Sequence, residues 1–306
     1  MISTALAIKL GILALFVLSA LIVHLRGRVR LPFHRQVFNH STLLAPYNVL
    51  AYLFSAVPRT PILPVRDFTA LEPLQANWKI IRDEALSLFD AGHIRAAEKN
   101  NDASFNSFFK QGWKRFYLKW YGEPLPSAQQ LCPRTVELVN AIPSVKAALF
   151  ALLPPGGKLN PHRDPFAGSL RYHLGLVTPN SDACRIFIDG QPYAWRDGED
   201  IVFDETYIHS AENRTDITRI ILFCDIERPL RTGLVRAINR GVGGFLGRAT
   251  AAQNVSTDRI GAVNRAYGGI HAIKQVAKRA KQANRTIYKV VQALLILGAL
   301  ALLVFW

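Results

Sequence analysis

Long apolar runs lie at both ends of the chain. Residues 4–24 contain a single charge, Lys9, and residues 290–306 contain none. An apolar helix of about 20 residues crosses roughly 30 Å of hydrocarbon. Arginines follow the first run and basic residues precede the second, so the positive-inside rule places the chain between them in the cytoplasm. The pattern predicts a transmembrane helix at each end.

Residues 25–66 connect the first run to the middle of the chain as a juxtamembrane segment and linker. They include a shorter apolar stretch, 41–57, which Pro46 interrupts. Two structures suit this stretch about equally. It lies in the membrane interface or lines an entry for acyl chains, or it forms a core helix packed on the following domain. The proline-rich residues 58–66 then predict a linker into that domain.

Residues 67–230 have the pattern of one α+β domain. Helical spacing runs over 67–100, where Leu71, Leu74, Trp78, Ile81 and Ala85 recur three and four apart. A strand is predicted within 112–122 and a short helix over 134–141. From Val145 onward, short apolar runs alternate with the turn clusters PPGG, TPNSD, IDGQ and RDGED, a pattern typical of a jelly roll.

The charge balance narrows the class of partner. The 306 residues carry a formal charge of +15, with a pI near 10.0, so the partner is expected to be anionic: nucleic acid or a membrane surface. The membrane-like ends favour the lipid surface, and residues 231–289, which are helical and basic, predict a membrane-proximal region. Three cysteines without a CxxC motif are typical of a reducing compartment.

Two histidines and a carboxylate stand out in the β-rich region. His162 and Asp164 are two residues apart, so in an extended segment their side chains point to the same face. His209 lies on a later strand-like segment. Two histidines and one carboxylate form the facial triad of non-haem Fe(II) oxygenases, which leaves coordination positions open. His162, Asp164 and His209 are therefore the candidate metal ligands.

Buried cations lie in neighbouring strand-like segments. Arg171 and His173 are two apart in SLRYHLGLV, and Arg219 begins the apolar run RIILFCDI. A cation in an apolar strand is costly unless an anion meets it, and a guanidinium binds a carboxylate bidentately. A dicarboxylate beside a metal would satisfy these groups, and 2-oxoglutarate is such a molecule.

The sequence also resembles the aspartyl/asparaginyl β-hydroxylase family of 2-oxoglutarate oxygenases, and within it most closely the bacterial lipid A hydroxylases. The resemblance rests on LPPGGKLNPHRDPFAGSLRYHLGLV, IDGQPYAWRDGEDIVFDETYIHSAEN and RIILFCDIERP, and covers about residues 105–230. It implies a double-stranded β-helix (a jelly-roll, cupin-like fold) flanked by helices, with Fe(II) and 2-oxoglutarate bound.

The resemblance also assigns roles to individual residues. It implies that His162 and His209 bind iron, that Arg219 pairs with the distal carboxylate of 2-oxoglutarate, and that Arg171 and His173 lie near its metal-bound end. Trp113 would line the cosubstrate pocket. Animal members that hydroxylate protein Asp and Asn have a glycine where this chain has Asp164, so the full triad favours the lipid-modifying branch.

The expected function is hydroxylation of C2 of a secondary acyl chain of lipid A at the bacterial inner membrane, with the catalytic domain facing the cytoplasm. The expected partners are this lipid and anionic inner-leaflet lipids, with no nucleic acid and no obligate protein partner. Two alternatives remain: a protein aspartyl/asparaginyl hydroxylase, and a non-catalytic membrane-tethered binding protein on the same fold.

Overall fold

The computed structural model describes residues 4–37, 39–97, 102–284, 286–288, 290–292, 294 and 298. The strands in this part of the chain are β1 (Ile62–Leu63), β2 (Lys114–Trp120), β3 (Val145–Leu153), β4 (Lys158–His162), β5 (Ser169–Val177), β6 (Cys184–Ile188), β7 (Gln191–Ala194), β8 (Asp200–Phe203), β9 (His209–Asn213) and β10 (Arg219–Glu227). The helices are α1 (Thr4–Leu25), α2 (Phe33–Val37), α3 (His40–Leu43), α4 (Ala45–Leu53), α5 (Glu72–Ala76), α6 (Trp78–Asp90), α7 (Asn106–Phe109), α8 (Pro126–Leu131), α9 (Pro133–Asn140), α10 (Gly233–Thr250) and α11 (Ala262–Ala283).

The strands form two antiparallel sheets. The larger has the order β1-β8-β5-β10-β3-β2, and the smaller has the order β4-β9-β6-β7. From β3 to β10 the chain passes repeatedly from one sheet to the other, which is the connectivity of a jelly roll. The predicted α+β architecture with antiparallel sheets is confirmed.

The central strands of the larger sheet are buried on both faces. Every residue of β5 and β10 except the last is buried, because the smaller sheet lies on one face and helices such as α6 and α9 pack on the other. This double burial explains why SLRYHLGLV and RIILFCDIE lack the alternation of a half-exposed strand.

Local turn chemistry fixes the connection of β6 to β7. Ile188 pairs with Gln191, so Asp189 and Gly190 form a two-residue hairpin loop. Both have positive φ, 51° and 85°, as a type I′ turn requires. The turn predicted at IDGQ is confirmed.

The helix predicted over 67–100 is shorter and broken. Helix α6 ends at Asp90, and residues 91–97 are not helical. Gly92, with φ of 72°, ends it. The His93 amide donates to the Leu88 carbonyl at 2.8 Å and the Gly92 amide donates to the Phe89 carbonyl at 3.0 Å, which is a Schellman motif. The strand within 112–122 and the helix over 134–141 are confirmed as β2 and α9.

Helix α1 is long and apolar enough to cross a membrane, and it is the single such helix among the described residues. Most of its apolar side chains are exposed, whereas Ser19 and Val23 near its end are buried against the rest of the chain. The second predicted span, 290–306, lies mostly outside the described residues and stays a prediction.

The stretch 41–57 packs on the domain. Helix α4 contacts α1, and its residues Ala45, Asn48, Ala51 and Tyr52 are buried. Leu43 and Leu53 remain exposed. One side of α4 is therefore packed against the rest of the protein, while a position of the stretch in the membrane interface or beside an acyl chain stays a prediction.

Candidate active site

The smaller sheet brings two histidines together. His162 ends β4, His209 begins β9, and the two are paired in register with ring centroids 4.3 Å apart. Asp164 lies in the loop after β4, with Oδ1 3.8 Å from Nε2 of His162. One ligand atom from each of the three residues lies within 4.8 Å of the other two, an arrangement that suits one metal ion.

Backbone carbonyls set the orientation of both imidazoles. Nδ1 of His162 lies 2.7 Å from the Asn160 carbonyl oxygen, and Nδ1 of His209 lies 3.0 Å from the Tyr207 carbonyl oxygen. A carbonyl only accepts, so each Nδ1 carries a proton, and Nε2 is the nitrogen of each ring that is left for a metal. Burial, with His162 nearby, lowers the pKa of His209 to about 3, so its ring is neutral at pH 7. The donor set fits a divalent iron ion.

Asp164 is held from its other oxygen by Arg171. Nη2 of Arg171 donates to Oδ2 of Asp164 at 2.7 Å, which leaves Oδ1 facing the histidines. Burial alone would raise the pKa of Asp164, but the Arg171 guanidinium and the two histidines outweigh it, so the pKa lies below its ordinary value. The carboxylate is therefore ionised and ready to bind a cation.

Arg171 also pairs with two further carboxylates, those of Glu205 and Asp225. Its guanidinium lies 3.6 Å from the centroid of the Phe223 ring. The resemblance placed Arg171 near 2-oxoglutarate. It does line the same cavity, but its ion pairs are made with the protein.

Arg219 has the opposite surroundings. Its side chain lies 4.4 Å from the centroid of the Trp195 ring, and its Nε and Nη2 are buried without a hydrogen-bond partner. It pairs with no carboxylate in the part of the chain that the structure describes. Burial lowers its pKa to about 10, so it is still charged at pH 7. A buried, charged and unpaired guanidinium calls for an anionic ligand.

The positive charges of Arg171 and Arg219 both act on the imidazole of His173. Burial and the charges of Arg171 and Arg219 lower its pKa well below the ordinary value, so the ring is neutral. Neither ring nitrogen has a hydrogen-bond partner within the described ranges, and the ring stacks on Phe223 at 5.3 Å between centroids. It is a second polar group available to a ligand.

One cavity joins all seven predicted residues. It spans about 460 Å³ including its mouth, and it lies between the two sheets. Trp113 lines it and packs on Phe105, with ring centroids 4.8 Å apart. The lining residues are Phe108, Trp113, Ala151, Leu159, His162, Asp164, Arg171, His173, Ile186, Trp195, Phe203, His209, Ser210, Ala211, Arg219, Ile221 and Phe223.

The partners of Arg171 were missed in the sequence. Asp225 sits in the apolar run RIILFCDI, six residues after Arg219, and pairs in register with Arg171 across the sheet. The argument that singled out Arg219, a charge in an apolar strand, applies equally to Asp225. Tyr121 donates to Oδ2 of Asp225 at 2.8 Å, and Ser169 donates to Oε1 of Glu205 at 2.6 Å.

Comparison with known proteins agrees with this geometry. The chain is 40% identical over 121 residues to the ornithine lipid ester-linked acyl 2-hydroxylase of Rhizobium tropici, a match that covers 39% of this chain and 43% of that protein. It is 28% identical over 165 residues to human aspartyl/asparaginyl beta-hydroxylase, covering 52% of this chain and 21% of that protein. The matches thus span less than half of either relative.

A prolyl-4-hydroxylase from Pseudomonas putida is a more distant structural neighbour. It has a TM-score of 0.34 and 18% identity, and the overlap covers 51% of this chain and 88% of that one. The family model for aspartyl/asparaginyl beta-hydroxylase matches residues 75–229, which are half of the chain and include the triad, Arg171, His173 and Arg219. The chain therefore belongs to the aspartyl/asparaginyl beta-hydroxylase family.

Proposed function

We propose that this protein is a membrane-bound Fe(II)- and 2-oxoglutarate-dependent dioxygenase that hydroxylates C2 of a secondary acyl chain of lipid A. The observation that supports 2-oxoglutarate as the cosubstrate is the unpaired Arg219, which lines the same cavity as the three metal-ligand candidates. An anion that also reaches a metal needs two binding groups, and 2-oxoglutarate has a carboxylate at each end. His162, Asp164 and His209 would hold the iron.

Bound Fe(II), together with 2-oxoglutarate and dioxygen, would supply the oxidising power that replaces one C–H by C–OH, with succinate and CO2 as co-products. Arg219 binds the distal carboxylate, and its fixed position against Trp195 sets the direction in which 2-oxoglutarate lies. His173, neutral and unpaired, hydrogen-bonds the cosubstrate. Arg171 holds Asp164 in position rather than binding ligand itself.

Apolar side chains around the site exclude water. Phe108 packs on the His162 ring with centroids 4.8 Å apart, and Phe203 lies 5.7 Å from the His209 ring. Trp113 and Leu159 complete this lining. An apolar wall suits an acyl chain and protects a reactive centre from solvent.

The lipid substrate is supported by two observations. The Rhizobium tropici relative is named an acyl 2-hydroxylase acting on an ornithine lipid, and α1 is an exposed apolar helix of membrane-spanning length. An anchored enzyme and an insoluble substrate share one membrane, which raises their effective concentration. The relative's name makes ornithine lipid the second candidate substrate. Asp164 completes the triad expected of the lipid-modifying branch, which favours a lipid over a protein substrate, and the experiment below separates lipid A from ornithine lipid.

Protein hydroxylation is the alternative within the family, since the human relative carries that name. A non-catalytic binding protein is less well supported. Such a protein has no need for an ionised Asp164 beside two imidazoles oriented by backbone carbonyls and an unpaired Arg219.

Lipid mass spectrometry tests the proposal directly. The lipid A and ornithine lipid fractions are compared from strains with the gene intact, deleted, or carrying Asp164→Ala. We expect one lipid class to carry one additional oxygen at C2 of an acyl chain in the intact strain, and to lose it in the other two strains. The fraction that changes identifies the substrate.

A control variant separates loss of the metal ligand from loss of a carboxylate in general. Asp182→Ala removes an exposed carboxylate that pairs with Arg196 on the surface, and it should leave the lipid unchanged. If neither lipid fraction differs among the strains, lipid hydroxylation is wrong. Succinate release on Asp- and Asn-containing peptides would then test the protein-modifying alternative.

A further inference from the structure

The residue between two metal-ligand candidates binds the end of the apolar helix. Arg163 is 3% exposed, and its Nη1 donates to the carbonyl oxygen of Val23 in the last turn of α1. The last carbonyls of a helix have no partner within the helix, and a cation there is favourable to the helix dipole. Asp164, the next residue, therefore lies within one arginine side chain and one peptide unit of the helix end.

The chain that follows α1 is bound to the same end of the jelly roll. Nη2 of Arg26 pairs with Oδ2 of Asp204 at 2.6 Å. The next residue, Glu205, belongs to the Arg171 cluster, which consists of Arg171 and its partners Asp164, Glu205 and Asp225. The amides of Arg28 and Val29 donate to Oδ1 of Asp189 at 2.7 and 2.8 Å. These contacts fix α1 to the domain, so it is not attached through a free linker alone.

Helix α4 is hydrogen-bonded to the loop that carries Asp164. Nδ2 of Asn48 donates to the Pro165 carbonyl at 2.8 Å, and its Oδ1 accepts from the Ala167 amide at 2.9 Å. One fully buried amide thus satisfies a donor and an acceptor of the loop. Ala167 also belongs to a small apolar cluster with Val23 of α1 and Tyr52 of α4.

Two further groups complete the support. Nδ2 of Asn239 in α10 donates to the Gly168 carbonyl at 3.1 Å. Arg228, the residue after β10, donates to the carbonyls of Ala167 and Ser169 and pairs with Asp204. The loop from Arg163 to Ser169 is therefore held from outside the jelly roll by α1, α4 and α10.

We propose that Arg163 and Asn48 are positioning residues that fix the loop of Asp164 to helices α1 and α4 respectively, so that the end of α1 supports the metal centre. The inference rests on the proposed function for the identity of the metal and for the membrane around α1. It has a consequence for the substrate: the metal centre lies at the depth where α1 leaves the bilayer. That is the depth of the acyl carbons next to the carbonyl, not of the methyl end.

Metal binding measures the contribution of each residue without lipid or 2-oxoglutarate. The full-length protein in detergent is titrated with Co(II), and the visible d–d absorption reports both affinity and coordination geometry. Arg163→Met and Asn48→Leu should each weaken Co(II) binding by about 10–100-fold, as is usual for groups that orient a metal ligand. They should also change the absorption spectrum, which a general loss of stability would not do in the folded fraction.

Matched variants control for charge and size. Arg30→Met removes an exposed cation from the segment that follows α1, and this variant should bind Co(II) as the wild type does. Arg163→Lys keeps a cation for the Val23 carbonyl and should recover part of the affinity. Wild-type affinity and spectrum in both Arg163→Met and Asn48→Leu would overturn the proposal.

Hydrogen exchange on the unaltered protein gives a second test, which does not depend on a variant that folds. Coupling is reciprocal, so a metal that orders the Asp164 loop must also stabilise the end of α1. Co(II) should slow deuterium uptake at residues 22–29 and leave helix α6 unchanged. Unchanged uptake at 22–29 would overturn the proposal. If the lipids instead fail to change in the mass-spectrometric test while these effects are present, only the proposed substrate is wrong.

Discussion

Arg171 and Arg219 are both buried, at 6% and 2% exposure, and both line one cavity from adjacent strands of the larger sheet. Their surroundings differ completely. Arg171 meets three carboxylates, those of Asp164, Glu205 and Asp225. Arg219 meets the face of Trp195 and no carboxylate within the described part of the chain.

The difference assigns the two arginines to different partners. A buried charge is tolerated when it is paired and is costly when it is not. Arg171 is satisfied by the protein and therefore stabilises the fold and the orientation of Asp164. Arg219 has no such partner among the described residues, and for this reason we propose that it binds an anionic ligand. Arg171 thus stabilises the fold, whereas Arg219, on the neighbouring strand, is available to a ligand.

Replacement of Arg171 should have the largest effect, and that effect should be on stability. Arg171→Met leaves two buried carboxylates, those of Glu205 and Asp225, and the half-buried carboxylate of Asp164 without their shared cation. We expect the free energy of unfolding to fall by about 3–5 kcal/mol, the usual cost of removing one partner of a buried ion pair. Denaturant unfolding of the metal-free protein in detergent measures this.

The control is an arginine whose ion pair is partly exposed. Arg185 pairs with Glu212 at 3.0 Å and is 31% exposed, so Arg185→Met should cost no more than about 1 kcal/mol. If Arg171→Met is as stable as Arg185→Met and loses only 2-oxoglutarate affinity, Arg171 serves the ligand. The comparison with Arg219 then fails.

Replacement of Arg219 should have the second largest effect, and that effect should be on ligand affinity alone. Removing one partner of a buried charged hydrogen bond costs about 2 kcal/mol or more, so Arg219→Met should weaken 2-oxoglutarate binding by about 30-fold or more. Anaerobic calorimetry on the Mn(II)-loaded protein measures the affinity.

The same variant should not lose stability in the absence of ligand. Removal of an unpaired buried charge relieves a desolvation cost, so the thermal midpoint of the metal-free protein should stay equal or rise. Arg219→Lys keeps the charge without the planar pair of donors and should bind 2-oxoglutarate with intermediate affinity. Wild-type affinity in Arg219→Met would mean that the cosubstrate's distal carboxylate lies elsewhere.

Local patterns predicted much of the fold. The IDGQ turn, the strands after Val145 and helix α9 depend on residues close in sequence, and they are where the patterns place them. The end of α6 is also encoded locally, in Gly92, but the prediction of a helix over 67–100 disregards this glycine. Packing of α4 on α1 depends on contacts distant in sequence, so the stretch 41–57 stayed ambiguous.

Spacing and burial cost likewise predicted part of the site. His162 and Asp164 are two residues apart, although Asp164 lies in the loop after β4 and not in the strand, and Arg219 is a charge in an apolar strand, so both signals are local. The pairing of Arg171 with Asp225 depends on the register of β5 against β10, which one sequence does not fix. Arg163 was passed over because its partner, Val23, lies 140 residues away.

Glu205→Gln gives the smallest effect and tests whether the Arg171 cluster holds more carboxylate than one cation can satisfy. Burial raises the pKa of Glu205 well above its ordinary value of 4.5, although Arg171 opposes this. The folded protein therefore keeps a proton there that the unfolded chain releases above about pH 4.5. This contribution to stability is complete below that pH and is lost as the pH rises towards the folded-state pKa.

Glutamine has no proton to lose, so the variant should gain stability relative to the wild type between pH 5 and 8. The gain should be at most about 1.4 kcal/mol per pH unit, the slope for one proton. Thermal midpoints across this range measure it. Parallel curves would mean that Glu205 is ionised in both states. Arg171 would then balance a greater negative charge than we infer, and its contrast with the unpaired Arg219 would be sharper still.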